Sequence, residues 1–264
     1  MKNKFAPILG VSSALALTSH AAVIEFTSPD YANGSLDSNS AWNAQAGWNV
    51  ADVSGVGNIN TTTNTQIAVY NSPVKLTAGQ SFSYSVNLQF SGTFTQTTTT
   101  NGFSYLFLSG LKADSTATSV ATGGTAADAN IQVLAQSDSY RLLNNFGSVT
   151  GSGTIGTGQL NGGDILKYDY SLTLGADAAS TTYSVRLQNL TDGTDTGLGT
   201  ITGVDASIYT ALTGTGAYSF VQSISPTSSG FTGVQVNSFE TVPEPSSIAL
   251  LGLGGLALLG RRRR

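Results

Sequence analysis

The stretch Ser81-Phe82-Ser83-Tyr84-Ser85-Val86-Asn87-Leu88-Gln89-Phe90 places a large apolar side chain at every second position, with a hydroxyl or amide between. Successive side chains of a strand point to opposite faces, so this run has one apolar face and one wet face. The period recurs in Leu166, Tyr168, Tyr170, Leu172 and Leu174, and in Tyr183, Val185 and Leu187. Phe103 to Leu108 is apolar on both sides and suits a central strand. Thr65 to Tyr70, Ile131 to Ala135, Tyr218 to Ile224 and Val234 to Phe239 read as further strands. Turn chemistry separates them: Thr77-Ala78-Gly79-Gln80, Asn161-Gly162-Gly163-Asp164, and a hairpin over Thr191 to Gly197. Asp205 to Leu212 predicts one short helix capped by Asp205. The fold class is therefore all-β, an antiparallel two-sheet sandwich.

Composition agrees and removes chemistry. The 264 residues include no cysteine, one histidine and one methionine, and only 10% are charged, against about 25% in an ordinary soluble domain. Without cysteine there is no disulfide framework, thiol nucleophile or Cys-ligated metal. Residues 22–242 hold five basic residues, Lys75, Lys112, Arg141, Lys167 and Arg186, against fourteen acids, a net charge of −9. So acidic a body cannot release phosphate counterions, which excludes nucleic acid as a partner.

The remaining basic residues sit at the ends. Lys2 and Lys4 precede an apolar run, Phe5 to Leu17, and Ser19-His20-Ala21 supplies small residues at −3 and −1. This is the layout of a secretory signal peptide over residues 1–21, cleaved after Ala21 or alternatively after Ala22. Removing it takes away His20 and Met1, so the mature chain lacks the Ser-His-Asp and Cys-His pairs and His-ligated metals.

The other end reads Val242-Pro243-Glu244-Pro245-Ser246-Ser247, then an uncharged apolar run to Gly260, then Arg261-Arg262-Arg263-Arg264. Thirteen helical residues from Ile248 span about 20 Å, short for a hydrocarbon core of about 30 Å. Thinning and snorkelling arginines close part of the gap. The positive-inside rule keeps the arginines cytoplasmic. This order resembles the PEP-CTERM sorting signal of exported bacterial surface proteins. The resemblance implies a sorting domain over residues 242–264 and recognition of Pro243, Glu244 and Pro245 by an exosortase. It implies a short membrane helix over 247–260, stopped by the Arg261, Arg262, Arg263 and Arg264 anchor. An ordinary tail anchor with a proline spacer is the alternative.

Between the two addresses, residues 22–241 form the expected ectodomain. Gly34-Ser35-Leu36, Trp42 and Gly47-Trp48-Asn49-Val50 ahead of many alternating strands, closed by Val234 to Phe239, resemble a concanavalin A-like jelly roll. Another β-sandwich or a β-helix stays open. Glycosidases of that kind need two carboxylates a few ångström apart. Residues 22–242 contain only Glu25 and Glu240 as glutamates, in no such run. Trp42 and Trp48 are candidate glycan contacts, though a sandwich tryptophan also plugs the core. Asp192 and Asp195 form a fragment of a calcium loop without its distal glutamate, so no cofactor is expected and calcium is the one candidate.

These readings predict an exported, non-enzymatic envelope or extracellular-matrix protein. It is transiently anchored in the membrane, sorted by an exosortase, then held at the cell surface. A carbohydrate-binding module with polysaccharide as partner, or less readily a glycoside hydrolase, is the alternative.

Overall fold

The alternating stretch becomes one long central strand. The structure is a computed structural model and describes residues 22–27, 30–53, 56–62, 66–92, 105–118, 127–134, 139–143, 154–157, 163–195, 197–223 and 231–243. The predicted signal peptide and the segment from Glu244 onward lie outside the described residues. Among the described residues no helix is long and apolar enough to cross a membrane.

In chain order the strands are β1 Ala22–Ile24, β2 Gly34–Ser35, β3 Trp42–Ala44, β4 Asn49–Val53, β5 Val56–Thr61, β6 Gln66–Tyr70, β7 Ser81–Gly92, β8 Tyr105–Lys112 and β9 Ala127–Leu134. They continue with β10 Ser139–Leu143, β11 Thr154–Thr157, β12 Ile165–Thr173, β13 Thr182–Asn189, β14 Thr194–Asp195 and β15 Gly199–Thr202, then helix α1 Ala206–Thr213, β16 Tyr218–Ser223 and β17 Phe231–Pro243. One sheet runs β14-β13-β12-β7-β17-β5-β4-β2, with β1 also on β17 and β15 also on β13. The other runs β11-β10-β9-β8-β16-β6-β3. Every pairing is antiparallel.

The apolar faces meet between the sheets. Phe82, Tyr84, Val86 and Leu88 of β7, Tyr168 and Tyr170 of β12, Tyr183 of β13 and Phe239 of β17 are all buried. Their rings form a connected series: Tyr84 stacks on Phe239 at 5.3 Å, and Trp42 meets Phe239 edge-on at 5.5 Å. One polar link crosses this interior, Tyr84 OH with Ser109 Oγ at 2.9 Å, and Ser109 Oγ donates to the Phe220 carbonyl. Burial pushes the Tyr84 phenol far up, partly offset by the Ser109 hydrogen bond.

Strand β8 is buried on both faces over residues 107–112, in keeping with the apolar character of Phe103 to Leu108, and it continues to Lys112. Phe107 enters the main core, while Leu108 joins Ile67, Val69 and Phe220 in a second cluster. Lys112 follows, with its ammonium buried and donating to the carbonyls of Thr116 and Thr118 at 2.6 and 3.0 Å. Burial pushes its pKa down, and Asp114 at 3.7 Å opposes that shift.

Sequence-marked turns appear where expected. Asp205 caps α1 by accepting from the Ser207 N–H at 2.7 Å. Gly193 takes φ +70° in the tight connection from β13 to β14, a conformation glycine adopts without steric cost. The last strand departs from expectation. The sequence alternation marks an end at Phe239, but β17 continues to Pro243, paired with Phe82. Proline is accommodated because it is the terminal residue of the strand, where a missing N–H costs least. A register shift between Val236 and Ser238 explains the broken period.

Two substitutions separate packing from polar linkage. Trp42→Ala is expected to cost about 3–5 kcal/mol, and Tyr84→Phe about 1 kcal/mol. Urea unfolding followed by far-UV circular dichroism measures both.

Candidate functional site

The feature that ties sequence addresses to fold is the pairing of β1 with β17. Ala22 lies opposite Thr241, Val23 opposite Glu240, and Ile24 opposite Phe239. The first residue expected after signal cleavage is thus one strand away from the residue two before Pro243. Pro243 itself still belongs to the sheet, opposite Phe82. The body therefore runs into the proline motif without a linker. Glu244, Pro245 and Arg261 to Arg264 lie outside the described residues.

The structure corrects the expectation for the tryptophans. Trp42 and Trp48 are 1% and 0% exposed and offer no face to a glycan. Trp42 donates through Nε1 to Tyr31 OH at 3.1 Å and packs on Phe26, Tyr70 and Phe239. The physical reason is area: large rings dominate core energetics, β3 faces Trp42 inward, and Trp48 is buried immediately before β4. The Gly34-Ser35-Leu36 and Gly47-Trp48 segments do come together, since Leu36 N–H donates to the Trp48 carbonyl at 3.0 Å.

Asp192 and Asp195 do not converge on one ion. Asp195 is engaged by the Arg186 guanidinium and by the Gly197 N–H at 2.9 Å. Asp192 accepts from Asn189 Nδ2 at 3.1 Å, and the same amide reaches Asp164 at 2.8 Å. Among the described residues no group of three or more His, Cys, Asp or Glu is placed to hold a metal. Hydrogen bonds from Arg186, then from Gly197, push the Asp195 carboxyl down to about 2 from its usual 3.8.

The wet face of β7, β12 and β13 carries a groove with a cavity of about 280 Å³. Ser83, Ser85, Asp169, Ser171 and Ser184 line it, and Leu198, 67% exposed, forms one wall. Ser85 donates to Asp169 at 2.5 Å, and Lys167 sits 3.2 Å from the same carboxylate. Such a surface offers hydroxyls and a carboxylate held by Lys167 and Ser85, and across Ser85 from Asp169 the register places Glu240 of β17. The wet residues of these strands are legible from their alternation. Leu198 as a wall is not, because it depends on β15 folding back along β13.

With the junction and groove located, comparison with known proteins becomes informative. Residues 241–264 match the model of the PEP-CTERM protein-sorting motif. The chain ends in a PEP-CTERM sorting motif. The motif thus begins at Thr241, inside β17, so its first three residues belong to the sheet. A comparison of the sequence with curated proteins finds no match.

Among solved structures, lectin II from Ulex europaeus is 11% identical, with 84% of this chain and 97% of that one covered at a TM-score of 0.54. Lectin I from Ulex europaeus, in complex with the methyl glycoside of α-L-fucose, is 13% identical at 0.55, with coverages of 84% and 96%. Arcelin-5, a lectin-like defence protein from Phaseolus vulgaris, is 11% identical at 0.54, with coverages of 85% and 98%. At such identities the likeness is one of fold: the body in front of the PEP-CTERM motif is a concanavalin A-like jelly roll.

The depressed Asp195 carboxyl makes a pH prediction. Its folded pKa lies below the unfolded one, so its contribution is present above about pH 4 and lost as pH falls through about 2. Arg186→Met is expected to raise the Asp195 midpoint toward its ordinary value in a carbon-detected NMR titration, short of a full return because the Gly197 N–H still donates to the carboxylate.

Proposed function

We propose that this protein is an exported, non-enzymatic surface protein, released to the cell surface or extracellular matrix by an exosortase acting at its PEP-CTERM motif. The observation that carries the reading is the match at residues 241–264, joined directly to strand β17. Pro243 and Pro245 end the ladder, because a proline gives no N–H to a neighbour. Four residues, Glu244 to Ser247, separate Pro243 from Ile248, so the five chain steps reach at most about 18 Å. The folded body is thereby held against the bilayer as long as the apolar segment stays inserted. The β1–β17 pairing supports the same picture, because a signal peptide ending at Ala21 and a membrane segment starting near Ser247 leave the body side by side. Both then point their basic ends to the cytoplasm.

Composition supports the non-enzymatic reading. The mature chain has no imidazole or thiol, and the carboxylate in the wet groove is taken up by Lys167 and Ser85. The second reading, a carbohydrate-binding surface module, is favoured by that groove. Hydroxyls of Ser83, Ser171 and Ser184 beside exposed Leu198 suit a hydroxylated ligand with an apolar edge. In this reading Asp169 and Ser85 replace Trp42 and Trp48 as the contacts to test. A glycan array with the full-length chain and its Asp169→Ala variant addresses it: binding lost in the variant supports the module, and a flat array removes it for the glycans tried.

The sorting reading is tested in the native host by intact mass. The surface form is expected to lack Arg261–Arg264. Glu244→Ala is expected to remain uncut in the membrane fraction. A surface form that keeps the arginines contradicts exosortase processing.

A further inference from the structure

The loop from Asn71 to Leu76 carries the chain from β6 of one sheet toward β7 of the other, and it closes a cavity of about 190 Å³ at the mouth of the sandwich. The loop is fixed. Val74 and Ala217 exchange backbone hydrogen bonds at 2.8 and 3.0 Å, and Leu76 N–H donates to the Leu212 carbonyl at 2.9 Å. Gly216, at φ +110°, lets Pro73 pack so close that a Cβ there would stand 2.5 Å from Pro73 Cβ. The cavity is therefore preformed, with room for about six waters or one small ring.

Its lining is chemically divided. Phe82 and Tyr70 supply aromatic surface. Ser219 lines it from β16, 1% exposed, and its Oγ has no hydrogen-bond partner. Buried hydroxyls usually find a partner: Ser109, on the neighbouring strand β8, bonds both Tyr84 and a carbonyl, whereas Ser219 shares its lack of one with Ser223 of its own strand. Lys75 lines the cavity from the exposed side. Among the described residues, Lys112, Lys167 and Arg186 each pair with an aspartate, while Lys75 is in no ion pair. An apolar ring wall, a buried hydroxyl in want of a partner and an uncommitted ammonium together define a complementary ligand.

We propose that this mouth binds a small ring bearing hydroxyl and carboxylate groups. The ring lies against Phe82 and Tyr70, a hydroxyl pairs with Ser219 Oγ, and the carboxylate meets the Lys75 ammonium. An acidic monosaccharide and a hydroxylated aromatic acid share this chemistry. The proposal involves none of the residues of the wet groove, and the lining of the mouth includes Thr241, the first residue matched by the sorting motif.

Isothermal titration of the full-length chain in detergent micelles tests it, with glucuronate and 4-hydroxybenzoate as probes and glucose and benzoate as controls. At least one probe is expected to bind saturably with a Kd below about 1 mM, and which one binds identifies the source of the ring. Ser219→Ala is expected to weaken that binding about tenfold without lowering the thermal midpoint, because its hydroxyl has no partner to lose in the free protein. Lys75→Met is expected to weaken it and to abolish its salt dependence. No saturable heat from either probe overturns the proposal. So does an affinity unchanged in either variant, or a control that binds as tightly as its acidic or hydroxylated counterpart.

Discussion

Strand β17 lies in the middle of the ten-stranded sheet. Strand β7 follows one of its edges from Phe231↔Gly92 to Pro243↔Phe82, and β5 followed by β1 occupies the other. The rest of the molecule depends on this double pairing. It brings Phe239 onto Tyr84, Tyr70 and Trp42, the ring series that fills the space between the sheets. It also joins the first described strand to the last, with Ala22 opposite Thr241. A strand that closes a sheet from the far end of the sequence makes the fold non-local, with a loop-closure cost that must be met before the contacts form. During export the body therefore completes its sheet only when the residues next to the sorting motif have emerged.

That topology gives the sorting motif its mechanical setting. The first three residues of the motif lie in a central strand, paired with β7 and, at Thr241, with β1. Of the body's cations whose side chains are described, Lys112, Lys167 and Arg186 pair with aspartates and Lys75 lies at the mouth of the sandwich. Its tryptophans stabilise the core rather than face a ligand.

Much of this was legible in sequence because period-two patterning is a local property. The faces of β7, β12 and β13, the cap at Asp205 and the tight turn at Gly193 follow from neighbouring residues alone. The PEP-CTERM motif is likewise a contiguous string. What sequence could not supply depends on register between distant strands. Ala22 opposite Thr241, the extension of β17 through its bulge to Pro243, and the convergence of Ser219 with Phe82 and Lys75 have no local signature. The tryptophans illustrate the same limit: Trp42 carries the same residue type whether it stacks on a sugar or on Phe239, and only β3's placement beside β6 decides.

The central claim is that both ends of the body are zipped together beside the sorting motif, and a cross-link tests it most directly. Directly opposed antiparallel residues have Cα atoms about 4.5–5.5 Å apart, inside the range a disulfide spans. The chain has no cysteine to interfere. Val23→Cys combined with Glu240→Cys is predicted to oxidise within one chain, giving a faster-migrating monomer on a non-reducing gel and an unchanged circular dichroism spectrum. Failure to oxidise, or formation of intermolecular dimers only, would contradict the pairing of β1 with β17.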